Sequence, residues 1–211
     1  MTDPITACQL MVDSQLRARG LSDPRVLDAM LRVPRHEFVP ESLRAEAYDD
    51  HPLPIGDGQT ISQPYVVAVM LESLQLTPTD TVLEIGTGSG YVTALLGELA
   101  AQVFSIERHP ALASNARTVL ATLGYANVQV ITGDGTLGLP AHAPFDAILV
   151  SAAALHIPPA LLSQLREAGR MIIPVGSPDS QQLQFIRMHN SQPVISLREP
   201  VRFVPLIPGR D

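Results

Sequence analysis

The chain has 211 residues, with 14 basic and 21 acidic side chains and a formal net charge of −7. That balance, without any Lys/Arg run, argues against a polyanion as the main partner. A hydrophobic content of 45% excludes wholesale disorder, and the length suits one α/β domain with additions or two small ones at most. One cysteine, Cys8, leaves no partner for an internal disulfide and fits a reducing compartment, with a small apolar role on the first helix. Met1-Thr2-Asp3-Pro4 shows no basic segment followed by an apolar core, so no signal peptide is expected. The most apolar stretch, residues 147–162, is broken by His156, Pro158 and Pro159 and is too short to span a bilayer. A soluble, cytoplasmic monomer with no membrane or nucleic-acid partner is the expectation.

Residues 1–80 read as a helical extension and 81–211 as the core, the whole forming one compact body. Helices are expected over 6–19 and 23–33, the second opened by Asp23-Pro24 as cap and first-turn pair. A short helical piece around 41–48 follows Pro34 and Pro40, and Gly56-Asp57-Gly58 makes a turn-rich loop. The next helix, 63–76, turns Val66, Val67, Met70, Leu71 and Leu74 to one face. Thereafter strands at 81–85, 103–107, 128–132 and 145–150 alternate with helices at 90–100, 110–123 and 158–167, before a strand at 171–175. This alternation means parallel βαβ units, a doubly wound α/β fold of Rossmann-like type. Segments 183–188, 194–197 and 201–206 read as strands with no helix between them, an antiparallel edge on the parallel sheet.

The segment TVLEIGTGSGYVTALL, residues 81–96, places glycines at 86, 88 and 90 between a buried strand and a helix. Glycines there permit positive φ and let a ligand approach main-chain N–H groups. The dinucleotide fingerprint G-x-G-x-x-G is not met, because the third glycine comes one residue early. Glu84, just before the turn, suits a cationic or hydroxyl-bearing ligand better than a pyrophosphate. On its own the turn leaves open a nucleotide, S-adenosylmethionine, or mere packing of helix on sheet. In open α/β sheets ligands bind beyond the carboxyl ends of strands. Glu107 ends the second strand, placed to take a ribose diol; Asp134, flanked by Gly133 and Gly135, ends the third and could reach an adenine edge. Each also has a bland reading, a solvated strand end for Glu107 and an Asp-Gly turn for Asp134. The fourth strand ends in Ser151-Ala152-Ala153-Ala154.

GQTISQP, residues 58–64, is not needed by such a fold, although Thr60 and Gln63 have capping-box spacing and Ser62 could cap the helix carrying Pro64. Taken with VLEIGTGSGY, Ser105-Ile106-Glu107-Arg108, Gly133-Asp134-Gly135, residues 143–148 and Arg202-Phe203-Val204-Pro205-Leu206, it closely resembles the protein-L-isoaspartate O-methyltransferases. Val33-Pro34-Arg35, Phe38-Val39 and residues 53–56 extend the likeness over nearly the whole chain. The resemblance implies transfer of a methyl group from S-adenosylmethionine to isoaspartyl carboxylates of damaged proteins and peptides, without a metal. It makes Ser62 the active-site residue and puts Ile61, Val204, Pro205 and Leu206 in the peptide cleft. It assigns Gly86, Thr87, Gly88, Ser89, Gly90, Glu107, Asp134 and Gly135 to the cofactor, where the turn itself already places Glu84. One departure stands out: where the family often has Ala-Ala followed by a proline pair, this chain has Ala153-Ala154-Leu155-His156-Ile157-Pro158, with His156 read as a loop residue. Rival readings are a methyltransferase of the same fold acting on another carboxylate, a noncatalytic S-adenosylmethionine-binding protein and, further off, a nicotinamide dehydrogenase.

Overall fold

In a computed structural model of the chain, residues 3–209 are described; Met1, Thr2, Arg210 and Asp211 lie outside, and with them part of the N-terminal segment read above. α1 (Pro4–Leu10) is capped by Asp3, which accepts from the N–H groups of Ile5 and Thr6, and it runs on through a π turn at Met11–Leu16. α2 (Pro24–Arg32) starts on an Asp23 cap with proline in its first turn, as expected. The piece expected near 41–48 is a 3₁₀ turn, Glu41–Glu46. The turn-rich loop belongs to an antiparallel hairpin, β1 (Leu53–Gly56) and β2 (Gln59–Ile61), which leads into α3 (Pro64–Leu74).

The sheet has seven strands, β3 (Thr81–Ile85), β4 (Gln102–Glu107), β5 (Val128–Thr132), β6 (Phe145–Val150), β7 (Leu165–Ser177), β8 (Ser180–His189) and β9 (Gln192–Val201). Their order is β5-β4-β3-β6-β7-β8-β9. β3 to β7 pair in parallel and β8 and β9 add an antiparallel edge. α4 (Tyr91–Leu99) and α5 (Pro110–Thr122) connect β3 to β4 and β4 to β5. The chain then crosses back to the other side of β3, so strand order reverses between β3 and β6. That reversal opens a crevice at the carboxyl ends of the strands.

Alternation along the strands divides the core. Val82, Val103, Ala147 and Ile172 pack against α1 to α5, whereas Leu83, Phe104, Ile148 and Met171 face the other way. Cys8 is buried on the first side, its thiol pushed up to about 11 by burial, which keeps it inert.

Two expected elements differ. The helix at 158–167 shrinks to α6 (Pro159–Leu162), and β7 begins by residue 165. Gln164 causes the stop: its buried amide donates to Leu137 O and Ala160 O and accepts from Leu139 N–H, while its own carbonyl accepts from Phe145 N–H. Residues 202–206 do not form a sheet strand. They cross the carboxyl-end rim and bridge Ala153 at Pro205 alone.

Candidate active site

The rim encloses a cavity of about 200 Å³. Its floor is the β3–α4 turn with Gly86, Thr87, Gly88 and Ser89. The end of β4 supplies Glu107, and Gly135 and Ser151 follow β5 and β6. Its roof is the hairpin segment 58–62 and the tail segment 204–207. A second cavity, lined by Pro52, Gln63, Val66, Arg202 and Phe203 among others, shares Thr60, Ser62, Ser151 and Val204 with the first. Ser62 thus stands at the seam of two chambers.

Gly88 has φ +53 and turns its N–H onto Glu107 Oε2 at 2.9 Å, a main-chain conformation that a side chain would strain. Glu107 Oε1 accepts from His109 N–H at 2.9 Å, so two backbone donors fix a carboxylate only 5% exposed. A carboxylate has about four acceptor sites, which leaves capacity for a ligand diol. Arg108 is the one guanidinium on this wall, and it has no lysine. Bare glycine backbone, a fixed acid and the apolar sides of Ile85, Ile106 and Val92 therefore fit an adenosine ligand without phosphates.

Three residues expected at the cofactor stand behind this wall. Glu84 shares the pleat side of Val82, so it points beneath the turn toward α4 and is 0% exposed. Its Oε2 accepts from Thr93 Oγ1 at 2.5 Å and from Ser105 Oγ at 2.6 Å, and Ser105 Oγ meets Thr87 Oγ1 at 2.5 Å. Glu84 thereby supports the turn through Thr87 instead of lining the cavity. Burial pushes its carboxyl up to about 8, from an ordinary value of 4.5, against the two hydroxyl donors. The folded chain holds this proton between those values and the unfolded chain does not, so stability falls as pH rises through that window. Glu84→Gln is expected to flatten thermal stability between pH 5 and 9 (roughly the span of the linkage); melting curves as steep in pH as wild type would refute it.

Gly90 packs away from the cavity, where a Cβ would meet Ala116 Cβ at 3.2 Å. Asp134 caps the turn 135–137, with Oδ1 accepting from Thr136 N–H at 2.8 Å and Thr136 Oγ1 at 2.7 Å. Its Oδ2 accepts from Gly209 N–H at 2.7 Å and so pins the tail. Burial alone would raise its pKa, but the donors of Gly209 and Thr136 bring it below the usual carboxylate range. The Asp-Gly turn is thus present, with both carboxylate oxygens engaged within the chain.

Gly135 does line the cavity, and a Cβ on it would collide with Ile85 Cγ2. Gly135→Ala is expected to lower stability by about 1–3 kcal/mol through that overpacking, checked by urea unfolding, where an unchanged midpoint would count against it.

Within the roof, Ile61 is buried and Ser62 Oγ makes no hydrogen bond among the described residues. Val204, Pro205 and Leu206 line the first cavity, and Val204 lines the second as well. Val204 O accepts from Ala153 N–H at 2.8 Å and Leu206 N–H donates to Ala153 O at 2.7 Å, so these groups are not free to pair with an extended peptide. Leu155 and His156 are exposed and line neither chamber. Sequence reading did not assign Tyr91, Ser151, Gln59 or Thr60 to the site. For Ser151 the strand-end rule was the available signal.

A reversed strand order between β3 and β6, with a glycine turn and an acid at successive strand ends, defines the Rossmann-like fold of the S-adenosylmethionine-dependent methyltransferases. The chain belongs to the protein-L-isoaspartate (D-aspartate) O-methyltransferase family, whose sequence model matches residues 8–211. It is 58% identical over 197 residues to the protein-L-isoaspartate O-methyltransferase of Koribacter versatilis, covering 93% of this chain and 89% of that one. The corresponding protein of Roseiflexus castenholzii is 56% identical over 199 residues, covering 94% and 91%. Among solved structures, a protein-L-isoaspartate O-methyltransferase superposes with a TM-score of 0.84 at 29% identity, over 94% of this chain and 65% of that longer one. The Plasmodium falciparum homologue, solved with S-adenosyl-L-homocysteine, gives 0.84 at 26% identity over 98% and 99%.

Proposed function

We propose that this chain transfers the methyl group of S-adenosylmethionine to the free α-carboxylate of L-isoaspartyl residues in damaged proteins and peptides. The products are S-adenosylhomocysteine and a methyl ester, which loses methanol on cyclising to a succinimide and so opens a route back to aspartate. What carries the reading is the coincidence of family membership across residues 8–211 with two chambers that meet at Ser62.

Bound S-adenosylmethionine supplies an electrophilic methyl on a sulfonium. Gly86, Thr87, Gly88, Ser89 and Gly135 would form its cradle and Glu107 would take its ribose hydroxyls. Glu84, Gly90 and Asp134 hold that cradle from behind. The acceptor carboxylate is ionised at neutral pH, so no general base is required. Anion and cation combine to neutral products, a step that a dry cleft opposes less than water does. The protein's task is then alignment, which can be worth roughly 7–11 kcal/mol. Ser62 Oγ donates to one carboxylate oxygen and leaves the other nucleophilic. Ile61, Val204, Pro205 and Leu206 shape the peptide cleft with apolar surface. Residues 1–80 act as an extension of the core at 81–211 that contributes Gly58 to Ser62 to this cleft. A net charge of −7 and a lone thiol favour a cytoplasmic monomer with protein substrates and no nucleic acid.

The test is methyl incorporation into isoaspartyl and aspartyl versions of one peptide. Transfer to the isoaspartyl peptide alone is expected. Equal transfer to both points to another carboxylate substrate, and tight cofactor binding without transfer points to a noncatalytic protein.

A further inference from the structure

Arg35 is 0% exposed and heads the largest fully buried side chains, yet no carboxylate pairs with it among the described residues. Burying an unpaired cation is costly, and a packed apolar side chain would serve stability better. The guanidinium instead spans three elements. Its Nε donates to Ala47 O at 2.7 Å, its Nη2 donates to Ser62 O at 2.7 Å, and its Cζ lies over the Tyr91 ring, 4.8 Å from the centroid. Arg35 Nη1 and the Tyr91 hydroxyl are buried with no well-formed hydrogen bond, and the two groups are close enough to interact with each other.

The three contacts have different roles. Ala47 belongs to the segment before the hairpin. Ser62 is the residue at the seam of the chambers, and Tyr91 opens α4 directly after the glycine turn while lining the cofactor chamber. A single rigid plane therefore joins the substrate wall to the cofactor wall. We propose that Arg35 is a positioning residue that sets the separation between the carboxylate aligned by Ser62 and the methyl donor held at the glycine turn, which rests on the roles given to both above. The fork explains the choice of arginine: lysine keeps the charge but lacks the rigid pair of donors that reaches two carbonyls while the charge sits over a ring.

The experiment measures single-turnover methyl transfer to an isoaspartyl peptide by wild type, Arg35→Lys, Ser62→Ala and the double variant, with S-adenosylhomocysteine affinity and melting temperature for each. Arg35→Lys is expected to stay folded and bind S-adenosylhomocysteine as wild type does, while its transfer rate drops about 10²-fold, the scale of a misplacement near 1 Å. In the Ser62→Ala background the same change should cost much less, because the hydroxyl it positions is gone. A purely structural role would lower melting temperature and leave the two losses multiplicative. Wild-type transfer by folded Arg35→Lys overturns the proposal, as do multiplicative losses. A lysine variant unfolded at the assay temperature overturns it too, since the role would then be holding the fold. A wild-type enzyme inactive on the peptide is a separate failure, of the functional reading, and removes the positioning role with it.

Discussion

Glu107→Ala is expected to weaken S-adenosylhomocysteine binding about 10²-fold, the scale of two hydrogen bonds to a charged group. The carboxylate is nearly enclosed, and each oxygen already accepts one backbone N–H, from Gly88 and from His109. Its removal deletes the proposed ribose acceptor and also frees a turn that needs positive φ at residue 88. Glu107→Gln separates these effects. The amide oxygen can still take one of the two N–H groups, so the turn is held in part while one acceptor position becomes a donor. A glutamine variant close to alanine assigns the loss to the ligand contact; one close to wild type assigns it to the turn. Unchanged affinity by calorimetry in both variants would remove Glu107 from the cofactor site.

Much of this architecture could be read along the chain because local signals agreed with the tertiary result. Strands 81–85, 128–132 and 145–150 were bounded correctly, since β-branched runs between glycine and proline punctuation leave few alternatives. Glu84 was not legible in the same way. β3 is covered on both faces, so its sequence carries no polar alternation to say which side residue 84 takes. The hairpin at 53–61 was hidden because its strands are four and three residues long and one contains a proline. Only packing over the cavity defines it. Helical spacing at 158–167 was real, but Gln164 spends its amide and carbonyl on residues 137, 139, 145 and 160, and non-local hydrogen bonds overrode the period. Asp134 was ambiguous between cap and ligand, and neither glycine beside it could decide. The tail shows the same limit: its apolar pattern suits a strand, yet it serves as a roof tied down at Ala153 and Asp134.

Ser62→Ala is expected to lower the transfer rate on an isoaspartyl peptide by about 10–100-fold while leaving S-adenosylhomocysteine affinity unchanged, by analogy with losing one well-placed donor. The hydroxyl is polar and unengaged among the described residues, as are those of Thr60 and Ser151 at the same seam, but it alone is carried by a backbone fixed from behind through the Arg35 bond to its carbonyl. Ser151 shares the seam, but its N–H is committed to Ile85 O and its Cβ sits 3.5 Å from the Cβ position of Gly86, which ties it to the cofactor floor. The two serines thus separate by readout. Loss of Ser62 should move the rate of transfer with saturating cofactor, whereas a bulkier residue at 151, such as Ser151→Val, should move cofactor affinity first. A Ser62→Ala enzyme that turns over as wild type would leave the carboxylate to be aligned by backbone and apolar walls alone. The peptide specificity would then reside in the roof formed by residues 58–61 and 204–207.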